Sequence, residues 1–225
     1  MKRLLLLFFI TLFISCNNSK NSPEFISTFS GNYLFNTNEI ISVYFTDSQL
    51  FVKWRGTKDI KPLKVNDSTF YLREMNEKFI FVTKPTTYIK LAEKREHKGN
   101  TIYFSKLEEG QKTPKEYFDN EQYDKALEGY LLVKKNNPNS RSIREDDINL
   151  KGYRALRKNN HNKAIEIFKM NVALHPKSAN VYDSLGEAYW ASRDTTNAVN
   201  CFKKVLTLDA DNKRAKQFLK NYTLD

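Results

Sequence analysis

The sequence predicts an α+β protein of two domains, a small antiparallel β-barrel or sandwich followed by an α-solenoid of helical repeats. Two observations support this fold class. Between residues 33 and 104, short runs rich in β-branched and aromatic residues are separated by turn residues, as in all-β domains. Farther along, Ala126, Ala164 and Ala198 lie in similar sequence frames, and their spacings of 38 and 34 residues give a period typical of stacked helical hairpins.

The N-terminal segment has the composition of an export signal. Lys2 and Arg3 precede an almost unbroken apolar run at residues 4–14. Such a run is too short to span a bilayer and matches the hydrophobic region of a signal peptide. We therefore predict that this segment takes no part in the fold.

The end of this run, residues 13–16 (FISC), resembles the lipobox of bacterial lipoproteins. In that family the cysteine is acylated and becomes the first residue of the mature protein. The resemblance implies a lipoprotein signal peptide at 1–16, a membrane anchor on Cys16 and a location in a bacterial cell envelope, facing the periplasm. The polar residues 17–23 are then a short tether. The alternative is ordinary secretion with a free thiol at Cys16.

The chain is basic, with 37 Lys and Arg against 26 Asp and Glu and a formal net charge of +11. A basic excess can indicate nucleic-acid binding. Here the cations are scattered, and no run of basic residues is longer than two. We therefore expect no nucleic-acid partner and interpret the charge as a solvated surface that favours anionic envelope components.

Cysteine and histidine usage predicts neither a disulfide nor a metal site. With Cys16 acylated, Cys201 is the one remaining cysteine, so no disulfide within the chain is expected. Cys201 lies in a helical stretch and is interpreted as a small core residue. His97, His161 and His175 share no ligand spacing with a cysteine or a carboxylate, so we expect no metal and no cofactor.

The predicted β-domain covers residues 24–107 and contains about eight strands. Leu50, Val52 and Trp54 alternate with more polar neighbours, as expected for a sheet packed on one side. Pro62 has no amide hydrogen to donate and is predicted at an edge or a bulge. We expect Phe and Tyr side chains to fill the interior. The alternative is a cavity that holds a small apolar ligand.

Five short motifs follow one another in this region: SGNY at 30–33, LFV at 50–52, KPL at 61–63, FY at 70–71 and FIF at 79–81. Their order resembles a β-module at the C-terminal end of many serine hydrolases of the penicillin-binding and class C β-lactamase type. In those relatives the catalytic residues lie in a separate domain. This chain has no Ser followed three residues later by Lys and no Gly-x-Ser-x-Gly motif. We therefore expect that it is not an enzyme.

The predicted helical domain covers residues 111–225. Each of the three alanines is followed four residues later by an aromatic, namely Tyr130, Phe168 and Phe202. The last frame also carries Tyr182, Leu185, Gly186 and Tyr189. This pattern resembles the tetratricopeptide repeat, in which small residues let two antiparallel helices approach closely. The resemblance implies three units and a capping helix, at about 111–140, 145–178, 179–212 and 213–222.

The first two units depart from this pattern. In the second, Lys151 and Ala155 replace the usual Leu and Tyr, so its first helix is expected to pack less ideally. In the first, Pro114 replaces the usual Gly, and we predict a short helix that Thr113 caps, with Pro114 at its first position. No such unit buries its apolar face alone, so neighbouring units must stack.

Three segments of the last two units, 164–168, 171–172 and 183–189, also resemble the repeat tail of bacterial exported serine hydrolases. The β-module points to the same relatives. Together, the two resemblances imply that the mature chain corresponds to the accessory half of such an enzyme, without its catalytic half.

The first helices of such repeats line a concave groove that holds extended peptides in many relatives. Spacings of three or four residues select the candidate protein-binding residues Asn149, Tyr153, Arg157, Asp183, Glu187 and Trp190. The alternative is that Tyr153 and Trp190 pack against the next helix and the charges are only solvated. Asp183 and Ser184 have no histidine at a recognisable spacing, so we expect a helical surface pair and not a catalytic one.

The sequence thus favours a non-catalytic, lipid-anchored envelope scaffold that binds another protein through its repeats. The alternative is an accessory subunit or remnant of a serine hydrolase, which regulates or completes a catalytic partner. A third hypothesis is a barrel that carries a small ligand.

Overall fold

The computed structural model describes residues 20–222. The predicted signal peptide and Cys16 lie outside the described residues, so the predicted lipid site has no structural description. The described chain starts with a short helix, α1 (Pro23–Phe29). The strands are β1 (Gly31–Asn36), β2 (Glu39–Thr46), β3 (Gln49–Trp54), β4 (Thr57–Ile60), β5 (Leu63–Lys64), β6 (Thr69–Leu72), β7 (Glu77–Val82), β8 (Tyr88–Leu91) and β9 (Tyr103–Lys106). The later helices are α2 (Pro114–Asp119), α3 (Tyr123–Asn136), α4 (Glu145–Arg157), α5 (His161–Leu174), α6 (Ala179–Ala191), α7 (Thr195–Leu208) and α8 (Lys213–Tyr222).

The strands form one antiparallel sheet in the order β4-β3-β2-β1-β9-β8-β7-β6-β5. β9 returns to pair with β1, which places Tyr33 opposite Lys106. The end strands β4 and β5 form no ladder with each other in the described sheet, although only Lys61 and Pro62 separate them in sequence. A link this short reaches about 11 Å, so the sheet must curl. The predicted barrel or sandwich is therefore corrected to a half-barrel, with Pro62 between two edge strands.

Aromatic side chains fill the inside of this half-barrel. The Phe25 ring of α1 lies 4.6 Å from the Phe29 ring and between 5.4 and 6.0 Å from the rings of Phe45, Phe70 and Phe81, measured between centroids. Such tilted and edge-on pairs stabilise a core beyond the area that they bury. The interior is thus occupied by side chains, as expected.

Helix α1 was not expected and begins within the segment interpreted as a tether. Ser22 caps the helix and Pro23 is its first residue. Asn21 is only 6% exposed, and both its backbone amide and its side-chain amide donate to the Ser48 carbonyl, at 2.7 and 3.0 Å. The predicted tether 17–23 is therefore too long at its C-terminal end.

The predicted alternation along β3 is confirmed. Leu50, Val52 and Trp54 are buried on one side of the sheet. The turn before this strand consists of Asp47 and Ser48, both with left-handed φ values, 51° and 61°. Two such residues suit a tight β-hairpin, because their twist matches that of the strands.

The helices pack as three hairpins, α2–α3, α4–α5 and α6–α7, followed by α8. Each hairpin turns at a residue with left-handed φ, which is 60° at Glu121, 56° at Asn159 and 67° at Arg193. The amide of the next residue donates to a carbonyl five residues earlier, at 2.9 to 3.0 Å. Because these turns are also 38 and 34 residues apart, the repeat is a property of the backbone as well as of the side chains.

Small residues let the two helices of a hairpin approach closely. A Cβ atom added to Gly152 would lie 2.3 Å from the Phe168 ring. In the first hairpin the small residue is on the second helix, since a Cβ atom on Gly129 would lie 2.4 Å from the Pro114 ring. Thr113 caps α2 and Pro114 is its first residue, as predicted.

The half-barrel and the helices share a hydrophobic core. Leu34 of β1 and Leu107, just after β9, belong to the buried cluster of the helical hairpins. The turn between β1 and β2 reaches the same place: the Lys115 amide donates to the Thr37 carbonyl at 2.7 Å, and Thr37 is buried. The half-barrel therefore covers the end of the helical stack at the first hairpin.

Candidate protein-binding surface

Three helices of the repeat domain, α4, α6 and α8, carry the predicted binding residues and the side chains that contact several of them, and these residues are treated as one group. We call it the first-helix face. Its residues are Asn149, Tyr153 and Arg157 on α4, Asp183, Ser184, Glu187 and Trp190 on α6, and Arg214 on α8.

A row of polar contacts crosses the first-helix face. The Tyr153 hydroxyl donates to Glu187 Oε2 at 3.0 Å and lies 3.1 Å from the Ser184 hydroxyl. Arg214 Nη2 lies 2.7 Å from the same Glu187 oxygen, and Arg214 Nη1 donates to Asp183 Oδ2 at 2.9 Å. The row therefore joins α4, α6 and α8.

Burial disfavours the charged forms of the side chains in this row. It raises the pKa of Tyr153 and the pKa of Asp183, and the nearby Arg214 charge offsets only part of the Asp183 shift. Burial also opposes the Arg214 charge, but its hydrogen bond to Glu187 and the Asp183 charge leave the pKa of Arg214 raised. Asp183 Oδ1 is buried and has no hydrogen-bond partner in the described part of the chain, so this acceptor can still receive a donor.

The six predicted residues have different environments. Tyr153, Asp183 and Glu187 come together in the polar row. Asn149 is only 8% exposed, and its side-chain oxygen accepts from the Asn171 side chain at 2.9 Å, so it is engaged inside the second hairpin. Arg157 is exposed and forms no hydrogen bond or ion pair through its side chain with any residue from 20 to 222.

Trp190 has one side packed and one side open. Its ring lies 5.3 Å from the Phe218 ring and 4.5 Å from the Tyr222 ring, both on α8. It is nevertheless 40% exposed. The alternative that this side chain packs against the next helix is thus correct, but the packing still leaves an aromatic surface in solvent.

Two expectations about Asp183 and its neighbours are wrong. Asp183 and Ser184 are not a surface pair, since their exposed fractions are 9% and 0%. The charges of Asp183 and Glu187 are not simply solvated either, because Arg214 pairs with both. The reason is that α8 covers this side of α6.

Sequence reasoning missed Arg214, which completes the row. No local motif marks it, because it is 31 residues beyond Asp183 in a helix that only its apolar spacing reveals. The available signal was the repeat register, in which α8 takes the place of the first helix of a further unit.

The remaining reactive side chains have structural contacts. Cys201 is buried, as expected, and burial raises its pKa to about 11. His175 lies 2.9 Å from a backbone carbonyl oxygen, and His97 lies 3.2 Å from Glu77 Oε1. Within residues 20–222, no three His, Cys, Asp or Glu side chains are grouped to hold a metal ion. No helix in the same range has the length and apolar character needed to cross a bilayer.

The third hairpin identifies the kind of repeat. Residues 179–212 match the tetratricopeptide repeat. The match spans α6 and α7 and includes the four face residues of α6. Because stacked repeats of this kind create extended binding surfaces, the tetratricopeptide repeat indicates a protein-interaction adaptor.

The solved structures that are similar to part of the chain include the following three. The first TPR of Spaghetti (RPAP3) bound to HSP90 peptide SRMEEVD is 21% identical and covers 49% of this chain and 84% of its own, with a TM-score of 0.35. The Sgt2 TPR domain from Aspergillus fumigatus is 17% identical and covers 49% and 72%, with a TM-score of 0.34. MamA is 21% identical and covers 49% and 65%, with a TM-score of 0.32. No curated protein matches the chain in sequence.

Proposed function

We propose that the protein is a non-catalytic, lipid-anchored adaptor of a bacterial cell envelope that binds another protein through its tetratricopeptide repeats. The observation that carries this proposal is the matched repeat at 179–212, which stacks with two further hairpins and presents the first-helix face. On that face Trp190 and Arg157 are exposed, and aromatic and Arg side chains are the residues enriched among binding hot spots.

A non-catalytic role is supported by the way in which the polar groups are used. Ser184 is fully buried, and its hydroxyl faces Tyr153 and not a histidine. His175 lies against a backbone carbonyl oxygen, and His97 lies against Glu77. Nucleophilic catalysis needs a base within hydrogen-bond reach of the nucleophile, and Ser184 lacks that arrangement in the described chain.

The anchor is supported by the apolar run and the lipobox-like residues that end at Cys16. In cells that express the full chain, Cys16→Ser should move the protein from the membrane fraction to the soluble fraction, since a single substitution removes all acylation. Cys201→Ser is the matched control, because it changes the other cysteine and should leave fractionation unaltered. If Cys16→Ser stays in the membrane fraction, the anchor is wrong.

Protein binding through the first-helix face is tested by affinity capture from envelope extract. Arg157→Glu reverses an exposed charge on the face, and Lys203→Glu makes the same charge change at an exposed position of α7. We expect Arg157→Glu to lose proteins that the wild type and Lys203→Glu both recover. Equal recovery by all three chains would contradict binding at this face.

The alternative function, an accessory subunit or remnant of a serine hydrolase, is favoured by the order of a small β-domain followed by repeats. Consistent recovery of a serine hydrolase in the same capture, sensitive to Arg157→Glu, would support it. Recovery of other envelope proteins without any hydrolase would favour the adaptor.

A further inference from the structure

A second candidate binding site lies on the opposite side of α4 from the first-helix face. Tyr153 points from α4 toward α6, whereas the Lys151 ammonium lies 4.9 Å from the centre of the Phe118 ring on α2. Beside this contact is an open pocket of about 430 Å³, which we call the α2–α4 pocket. The residues that matter for its chemistry are Phe118, Lys151, Arg154, Ala155, Lys158 and Lys163.

The pocket arises where the second unit departs from the repeat pattern. In the third hairpin, Leu185 is buried and Tyr189 packs against the helical core. The residues 34 positions earlier are Lys151 and Ala155. The short Ala155 side chain leaves open the space that an aromatic would fill, and Lys151 brings a charge to a position that Leu would make apolar.

Three of the four cations at this pocket are not neutralised. Lys163 Nζ lies 2.6 Å from Glu121 Oε1. Lys151, Arg154 and Lys158 form no ion pair with any side chain in the described chain. An uncompensated group of positive charges at a partly buried site favours an anionic ligand.

The environment of Lys151 shows the same imbalance. Burial lowers its pKa, and the positive charges of Lys115 and Arg154 add to the shift. The acidic groups that act in the other direction are Asp119 and Asp147, but Lys115 pairs with Asp119 and Arg144 with Asp147. Each carboxylate that acts on Lys151 is thus shared with another cation, and neither forms an ion pair with Lys151.

The floor of the pocket is apolar, which restricts the kind of anion. Phe118 and Ala155 are each 7% exposed, and Ile167 is 1% exposed. A free inorganic anion would make no apolar contact with this floor. A carboxylate joined to an apolar group would use both parts, because Arg and Lys bind carboxylates through charge-assisted hydrogen bonds and the apolar group covers the ring.

We propose that the α2–α4 pocket binds an acidic peptide segment of a partner protein, with a carboxylate among Lys151, Arg154 and Lys158 and a neighbouring apolar side chain against Phe118 and Ala155. This inference rests on the proposed function and specifies the chemistry of the partner. A volume of about 430 Å³ is adequate for one apolar side chain and its acidic neighbour.

The probe is an array of twelve-residue peptides in which Asp or Glu adjoins Phe or Leu, together with matched peptides in which Asn or Gln replaces each acid. We expect the detergent-solubilised full chain to bind the best acidic peptides at least tenfold more tightly than their amide counterparts. If no acidic peptide exceeds its counterpart, or if inorganic phosphate at the peptide concentration displaces the peptides, the inference is overturned.

Two variants restore the repeat pattern and are expected to close the pocket. Ala155→Tyr fills the space, and Lys151→Leu removes the central charge. Each should lower binding of the acidic peptides at least tenfold while thermal stability is kept or increased. Lys203→Leu on the exposed side of α7 removes the same charge elsewhere and should bind like the wild type. Wild-type binding by Ala155→Tyr, or an equal loss in Lys203→Leu, would overturn the inference.

The outcomes separate this inference from the proposed function. If envelope proteins are captured and Arg157→Glu releases them, but the array shows no preference for acids, only the pocket inference fails. If the array shows the preference and its loss in Ala155→Tyr, but Arg157→Glu and Lys203→Glu capture alike, the pocket stands and the first-helix face is not the binding surface.

Discussion

The second and third hairpins are built on the same repeat, yet one leaves a pocket and the other closes. The third keeps Leu185 and Tyr189, and Arg214 pairs with its carboxylates Asp183 and Glu187. The second has Lys151 and Ala155 at the equivalent positions, and an open basic pocket beside them. Two side chains therefore decide whether neighbouring repeat units seal against each other or leave a site between them.

The largest expected effect concerns the glycine that the second and third hairpins have at equivalent positions, Gly152 and Gly186. Gly152→Ala places a methyl group 2.3 Å from the Phe168 ring, a distance that neither group can accept without a shift. Overpacking of this kind should lower the free energy of unfolding by about 2 kcal/mol, after the better helix propensity of Ala is taken into account. Chemical denaturation should show this loss as a lower denaturant concentration at the unfolding midpoint.

The control is Gly186→Ala, where the new methyl group would lie 3.1 Å from Phe202 and 3.2 Å from Cys201. A small adjustment suffices there, and the gain in helix propensity of about 1 kcal/mol offsets its cost. We expect stability close to that of the wild type. Equal losses for the two variants would mean that the hairpins do not differ in packing.

The second prediction breaks the closed polar row of the third hairpin. Arg214→Ala leaves Asp183, whose side chain is 13% exposed, without its cation. Because the Arg214 side chain is itself 50% exposed, the expected cost is moderate, about 1 to 2 kcal/mol of unfolding free energy. Lys216→Ala, which removes an exposed pair with Asp211, should cost much less. Similar losses in the two variants would contradict the role of the row.

The third prediction converts the second hairpin toward the third. Lys151→Leu replaces a partly buried charge with an apolar side chain against Phe118, and should raise the unfolding free energy by about 1 kcal/mol. Thermal unfolding of the variant and of Lys203→Leu measures the effect. A lower melting temperature than that of the control would mean that the charge stabilises the fold.

The smallest effect is a dependence of stability on pH. Burial raises the pKa of Asp183 above its ordinary value of 3.8, so the folded state binds this proton more tightly than the unfolded state. The stabilisation is then present at low pH and is lost as the pH rises through the raised pKa. Relative to Asp183→Asn, the wild type should lose stability between pH 3.8 and that pKa. A relative gain over this interval would show that the Arg214 charge outweighs burial.

Features that depend on neighbouring residues were predictable. The alternation along β3, the Thr113 cap and the period of the hairpins are local signals, and the structure confirms them. Closure of the sheet was not predictable, because whether β4 pairs with β5 depends on the curl of the whole sheet. Helix α1 was missed although Ser22 and Pro23 form a recognisable start, since they stand in a polar stretch that also fits a tether.

The candidate surface was predictable only in part. Helical spacing placed Tyr153, Asp183 and Glu187 on one face, but their burial depends on α8 and on Arg214, which sequence spacing does not connect to them. The sequence itself shows that Lys151 and Ala155 depart from the repeat pattern. It does not predict the pocket, because a missing aromatic leaves a pocket only if no neighbouring side chain moves into the space.

The contact of the half-barrel with the first hairpin gives the repeat stack two unequal ends. A helical repeat exposes apolar surface at each terminus unless something covers it. Here Leu34, Leu107 and the buried Thr37 turn cover one terminus with a sheet, whereas within residues 20–222 a single helix, α8, packs on the other. Fraying should therefore run in one direction, from α8 inward, with amide exchange fastest there and slowest at α2 and α3. When α8 unfolds locally, the first-helix face would lose its contacts with α8, whereas the α2–α4 pocket would stay intact.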